Sequence, residues 1–179
     1  MHDLCHTTFL LWSGKPMNYY KNQAGVTFVE LFIVIAILGI MLTLVLLIVD
    51  PVSAQKKARD NVRLTDSATL ARAIEEYVSD QNEPPDVEDT LRQSNSLPAG
   101  NSGPYESSAD GWIDVNMSDF LTRLPIDPIN ENSLVYSYQR SGTTYEINMV
   151  LEYFTEVMGD DDGDNDLVYE LGTDLTILN

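Results

Sequence analysis

The sequence predicts an α+β protein in which a long amino-terminal helix packs on a small antiparallel sheet. Residues 31–49, LFIVIAILGIMLTLVLLIV, run for nineteen positions without a charge. Residues 55–80, QKKARDNVRLTDSATLARAIEEYVSD, continue at helical spacing with an apolar stripe opposite charges. Two segments further on alternate apolar and polar residues around Ser141-Gly142, the pattern of a hairpin.

The apolar run spans about 28 Å as a helix at roughly 1.5 Å per residue, close to the ~30 Å hydrocarbon core of a bilayer. A soluble core helix keeps a polar stripe, and here only Gly39 and Thr43 interrupt the run. A secretory signal has a shorter apolar stretch and small residues at its cleavage site, whereas this run leads into Asp50-Pro51 and a polar helix. A membrane-spanning helix is therefore expected. Pro51 lacks an N–H and opposes the carbonyl of Leu47, so a kink is expected there within one long helix. The helix then continues as an amphipathic segment, residues 51–79, with Ala58, Val62, Leu70, Ile74, Tyr77 and Val78 on one stripe.

Glu30 stands at the entrance of the run, where an ionisable group needs either an interfacial position or a partner. At headgroup level it also favours the positive end of the helix dipole. Around it, QAGVTFVELFIVIAILGI (residues 23–40) resembles the amino-terminal signal of type IV prepilins and type II secretion pseudopilins. The resemblance rests on Gly25, Val26, Thr27, Glu30 and Gly39, and on the uninterrupted apolar helix that follows.

It implies a pilin-like fold and cleavage by a prepilin peptidase after Gly25. It also implies methylation of the new amine on Val26, with Thr27 and Glu30 acting in assembly. Glu30 of one subunit would neutralise the Val26 amine of the next, fixing register. Val26 stands where the family most often has Phe, and Pro51 lies four positions later than the usual helix proline.

On this resemblance residues 1–25 are a leader, with a compact start at Met17 preferred to Met1. The transmembrane or filament-core segment is 26–50, and the head is 80–179. Cys5, His2 and His6 leave with the leader, so the mature chain has none of either type. Lys15 and Lys21 precede the span while Lys56, Lys57, Arg59 and Arg63 follow it, so a bare positive-inside count puts the head in the cytoplasm. The resemblance implies the opposite orientation: an inner-membrane protein with its head outside the cytoplasm, passing into a pilus or pseudopilus.

Residues 80–110 have loop composition, with Glu83-Pro84-Pro85 and Ser102-Gly103-Pro104. A short helical turn is expected at 119–124. LPIDPIN (124–130) resembles the proline-bearing segment that leads into the sheet of major pseudopilins. Strands are expected at 134–140 and 144–152, with one or two more within 167–172 and 175–178. Tyr136, Tyr138, Tyr145 and Tyr153 are expected to pack across strands.

The 179 residues carry 28 Asp plus Glu against 10 Lys plus Arg, a formal charge of −18, which leaves no basic surface for nucleic acid. A lone cysteine excludes an intrachain disulfide and a Cys-based zinc site. The loop MGDDDGDNDLVYE (158–170) clusters carboxylates that are either a solvated acidic turn or ligands for calcium. Asp160, Asp162, Asp164 and Asp166 are the candidate ligands, although the EF-hand spacing is not met. The family resemblance, in which major pseudopilins carry a carboxyl-terminal calcium loop, favours calcium.

With no His or Cys in the mature chain and no recognisable base, nucleophile or phosphate cradle, an enzyme is not expected. The expected function is a structural subunit of a type IV pilus or secretion pseudopilus. Its partners would be prepilin peptidase, like or related subunits, and the assembly platform and ATPase. The alternative is a membrane-anchored calcium-binding module that does not polymerise.

Overall fold

The computed structural model describes residues 25–48 and 50–178. The expected leader therefore lies outside the described residues except for Gly25. The chain divides into two compact units, one ending at Val45 and one from Leu46 onward.

Helix α1, Phe28–Ile48, has no buried residue and supplies the described part of the first unit, its last three residues falling in the second. Helix α2, Pro51–Gln81, belongs wholly to the second. One long helix with a kink is thus corrected to two helices. Asp50 has extended dihedrals, and its carboxylate accepts from the N–H of Val52 (3.0 Å) and Ser53 (3.3 Å) and from the Ser53 hydroxyl (2.6 Å). Proline at the first helical position, preceded by an aspartate cap, starts a helix rather than bending one. At its other end Asn82 takes a left-handed conformation (φ 65°) and donates its N–H to the carbonyl of Val78, ahead of the Glu83-Pro84-Pro85 stop.

Four strands follow: β1 (Arg92–Gln93), β2 (Ser137–Ser141), β3 (Thr144–Met149) and β4 (Tyr169–Gly172). They form one antiparallel sheet in the order β1-β2-β3-β4. A short helix α3, Thr155–Met158, lies between β3 and β4. The β2–β3 hairpin turns through Gly142-Thr143, and Gly142 supplies the positive φ (58°) that a two-residue loop requires.

Alternation along β3 and β4 gives the sheet two buried faces of different chemistry. The inner face presents Tyr138, Tyr145, Ile147 and Met149 to a core completed by Leu70, Ala73 and Ile74 of α2 and by Trp112, Met117 and Leu124. Tyr138 and Tyr145 lie 6.4 Å apart between ring centroids, as cross-strand packing requires. Tyr136 and Tyr138 also donate their hydroxyls, to Asp66 and to the Pro85 carbonyl. Tyr153 falls outside the strands and meets Phe154 edge to face, with Lys57 near both rings.

The outer face presents Glu146, Asn148 and Glu170, all buried. Residues 175–178 cover it without forming the further strand expected there, because a side chain, Glu146, takes the N–H groups of Ile177 and Leu178. The expected helix at 119–124 is a single turn from Met117, whose carbonyl accepts from Phe120 and Leu121.

Candidate functional site

Gly25, Val26 and Thr27 precede α1 as irregular chain. Thr27 is the helix cap: its hydroxyl accepts from the N–H of Glu30 at 3.2 Å, and its carbonyl accepts from Leu31. Thr27-Phe28-Val29-Glu30 has the spacing of a capping box, a signal carried by the sequence itself. Glu30 sits in the first turn as the helix's acidic residue, where the dipole favours its charge.

Beyond Glu30 every described side chain of α1 is apolar or small except Thr43, and all are exposed. The Thr43 hydroxyl donates to the Gly39 carbonyl at 2.9 Å, so the helix side presents no unsatisfied polar group to an apolar surrounding. This helix is long and apolar enough to cross a membrane.

On α2 the sequence stripe is corrected at its amino-terminal end. Ala58 and Val62 are exposed, whereas Asp60 and Arg63 are completely buried. Arg63 reaches Asp127 through Nε (2.6 Å) and Nη2 (3.1 Å), and its Nη1 reaches Asp60 and Glu152, each at 2.8 Å. Arg59 makes a two-pronged bond to Glu152 at 2.6 and 2.7 Å.

Asp60 accepts from the N–H groups of Glu152, Tyr153 and Phe154, which outweighs the upward push of burial and lowers its pKa. Hydrogen bonding from Arg59, more than any other cause, brings Glu152 down to about 2. For Arg63, burial favours proton loss, but the bonds to Asp127, Glu152 and Asp60 prevail and hold its pKa above the usual value. Asp127, from the segment 124–130, also accepts from Ile129 and Asn130. The helix is thereby fastened to two distant loops through charge, and two of the four cations that follow the span, Arg59 and Arg63, are engaged within the head.

The acidic loop is organised around two residues outside the expected ligand set. Asp161 accepts from Gly163 and from the N–H of Glu170, while Glu170 accepts from the N–H of Asn165. A Cβ at Gly163 would collide with the Glu170 carboxylate, so glycine lets the loop close over the sheet. Asp160, Asp162, Asp164 and Asp166 are exposed along the turn. Among the described residues no three His, Cys, Asp or Glu side chains are gathered as a group that could hold a metal ion.

An exposed apolar helix, capped by Thr27 and marked by Glu30 behind a Gly-Val junction, on a head of helix plus antiparallel sheet, defines the class of prepilin-type proteins. Residues 20–46 match the family model described as "Prokaryotic N-terminal methylation motif". The chain is 31% identical over 119 residues to the type II secretion system core protein G of Pectobacterium carotovorum subsp. carotovorum, covering 64% of this chain and 70% of that protein. It is 29% identical over 123 residues to the type II secretion system core protein G of Pseudomonas aeruginosa, covering 69% and 78%. No solved structure gives a significant match. The chain belongs to the type II secretion system core protein G family, the pseudopilins.

Proposed function

We propose that the chain is a structural subunit of a type II secretion pseudopilus, cut by prepilin peptidase after Gly25 and assembled through α1. The observation that carries this reading is the Gly25-Val26 junction, followed at once by a capped helix whose apolar side chains are exposed. Such a helix is satisfied by lipid before assembly and by the α1 helices of other copies afterwards. Cleavage frees an amine on Val26, and Glu30 of a neighbouring copy neutralises it where water is excluded. The head then faces outward from the membrane and coats the filament. The role asked of this chain is positional, which accords with a non-enzymatic protein.

Mass spectrometry of the amino-terminal peptide tests the reading, with a methylated Val26 as the expected terminus. Gly25→Leu is expected to abolish processing and leave the protein in the membrane with its leader. A Cβ at Gly25 meets nothing within 4 Å, so among the described residues the position has room for the start of a side chain. Normal processing of Gly25→Leu would move the cleavage site elsewhere.

A further inference from the structure

On the outer face of the sheet, Glu146 of β3 and Glu170 of β4 are 0% and 2% exposed and lie diagonally, since Glu146 pairs with Gly172 and Glu170 with Asn148. Each carboxylate has one oxygen in use. Glu146 Oε2 accepts from the N–H of Ile177 and Leu178, both at 2.7 Å. Glu170 Oε2 accepts from Asn165 at 2.9 Å. The remaining oxygens, Glu146 Oε1 and Glu170 Oε1, are buried without any partner. Their diagonal register sets the two carboxyl groups side by side on one buried face.

Two ionised carboxylates cannot satisfy one another, because neither has a donor. A single proton between them gives both orphan oxygens a partner and removes one buried charge. We propose that Glu146 and Glu170 share one proton, and that this pair latches the carboxyl-terminal segment, residues 173–178, onto the sheet until rising pH opens it. The proton sits on Glu170 Oε1 and is donated to Glu146 Oε1. Glu146 keeps its net charge, which strengthens the two bonds from Ile177 and Leu178. Removing the proton puts two adjacent anions under the segment.

The surroundings oppose a second charge. Asp161 faces the pair from the acidic loop. On the same sheet face β2 offers neutral Ser137 and Gln139, and β3 offers Asn148. In the covering segment Asp174 is engaged by Thr176, and Glu156 of α3 is solvent-exposed. Among the described residues no Lys or Arg forms an ion pair with Glu146 or Glu170. Burial first, then Glu146 and Asp161, push Glu170 up to about 7. The folded value lies above the ordinary 4.5, so the latch is fully closed at acid pH and weakens as pH rises between the two.

The test is hydrogen exchange of the processed full chain in detergent micelles, read as protection of the Ile177 and Leu178 amides after correction for intrinsic rates. Protection is expected to fall about tenfold per pH unit from about pH 5 to about pH 7 and then level off. Glu170→Gln, whose amide donates permanently to Glu146, is expected to stay protected with no slope. Amides of Leu70–Ile74 in α2 serve as control and are expected to keep their protection. A flat wild-type profile, an unchanged slope in Glu170→Gln, or an equal slope in α2 would each overturn the latch. Recovery of wild-type protection above neutral pH by millimolar calcium chloride, abolished by chelator, would also overturn it by showing that the oxygens serve a cation.

Discussion

Replacing Arg63 by Met tests whether charge, rather than apolar contact, holds α2 to its loops. The substitution keeps most of the aliphatic stem and deletes the guanidinium that touches Asp60, Asp127 and Glu152. Breaking a buried ion pair by removing one partner costs about 3 to 5 kcal/mol. Here each stranded acid keeps other donors: Asp60 has three backbone N–H groups, Asp127 has two, and Glu152 keeps Arg59. The loss therefore falls at the lower end, about 3 kcal/mol.

At about 2 to 4 °C per kcal/mol for a chain of this size, melting falls by roughly 6 to 12 °C. Trp112 is fully buried, and cleavage after Gly25 would remove the other tryptophan, Trp12, so intrinsic fluorescence would report head unfolding in the processed protein. Adding Asp127→Asn to Arg63→Met is expected to restore part of the loss, since it removes one of the charges left without its cation. Melting of Arg63→Met within about 2 °C of wild type, a shift worth no more than about 1 kcal/mol, would refute the assignment.

Two further outcomes follow from the same structure. Glu30→Val is expected to insert in the membrane and be processed but to yield few filaments, scored by shearing and immunoblot; wild-type yield would return Glu30 to a purely interfacial role. Glu152 is pushed down to about 2, chiefly by Arg59, so its contribution is complete above about pH 4.5 and disappears as pH falls through about 2. Melts of Glu152→Gln across that acid range are expected to show a shallower decline than wild type, and an identical decline would place the acid sensitivity elsewhere.

The features legible in the sequence are those whose cause is local. Nineteen uncharged residues, the alternation on either side of Ser141-Gly142 and the Gly25–Glu30 spacing each declare themselves within a short window. The capping box at Thr27 is equally local. The node on α2 is different in kind. Arg63 finds Asp127 sixty-four positions away, and Arg59 finds Glu152 ninety-three away. Helical periodicity assigns such residues to solvent because it knows only that they are charged. β1 has two residues and no pattern of its own; it exists because Arg92 and Gln93 can pair with Tyr138 and Ser137. The acidic loop was legible as a carboxylate cluster, but which carboxylates turn inward depends on where Gly163 and Glu170 meet.

The same contrast bears on assembly. Along α1 beyond Glu30 the one side-chain hydroxyl is spent on a carbonyl of its own helix, so exchanging lipid for neighbouring helices leaves no side-chain polar group bare there. The head draws its stability from a core around Trp112 and from the Arg63 node, all of them within the second unit. A subunit built this way can leave the membrane for a filament without refolding its head. The change of surroundings falls on an apolar surface, and in the proposed assembly the specific demand is confined to the amine that cleavage would free on Val26 and the carboxylate of Glu30.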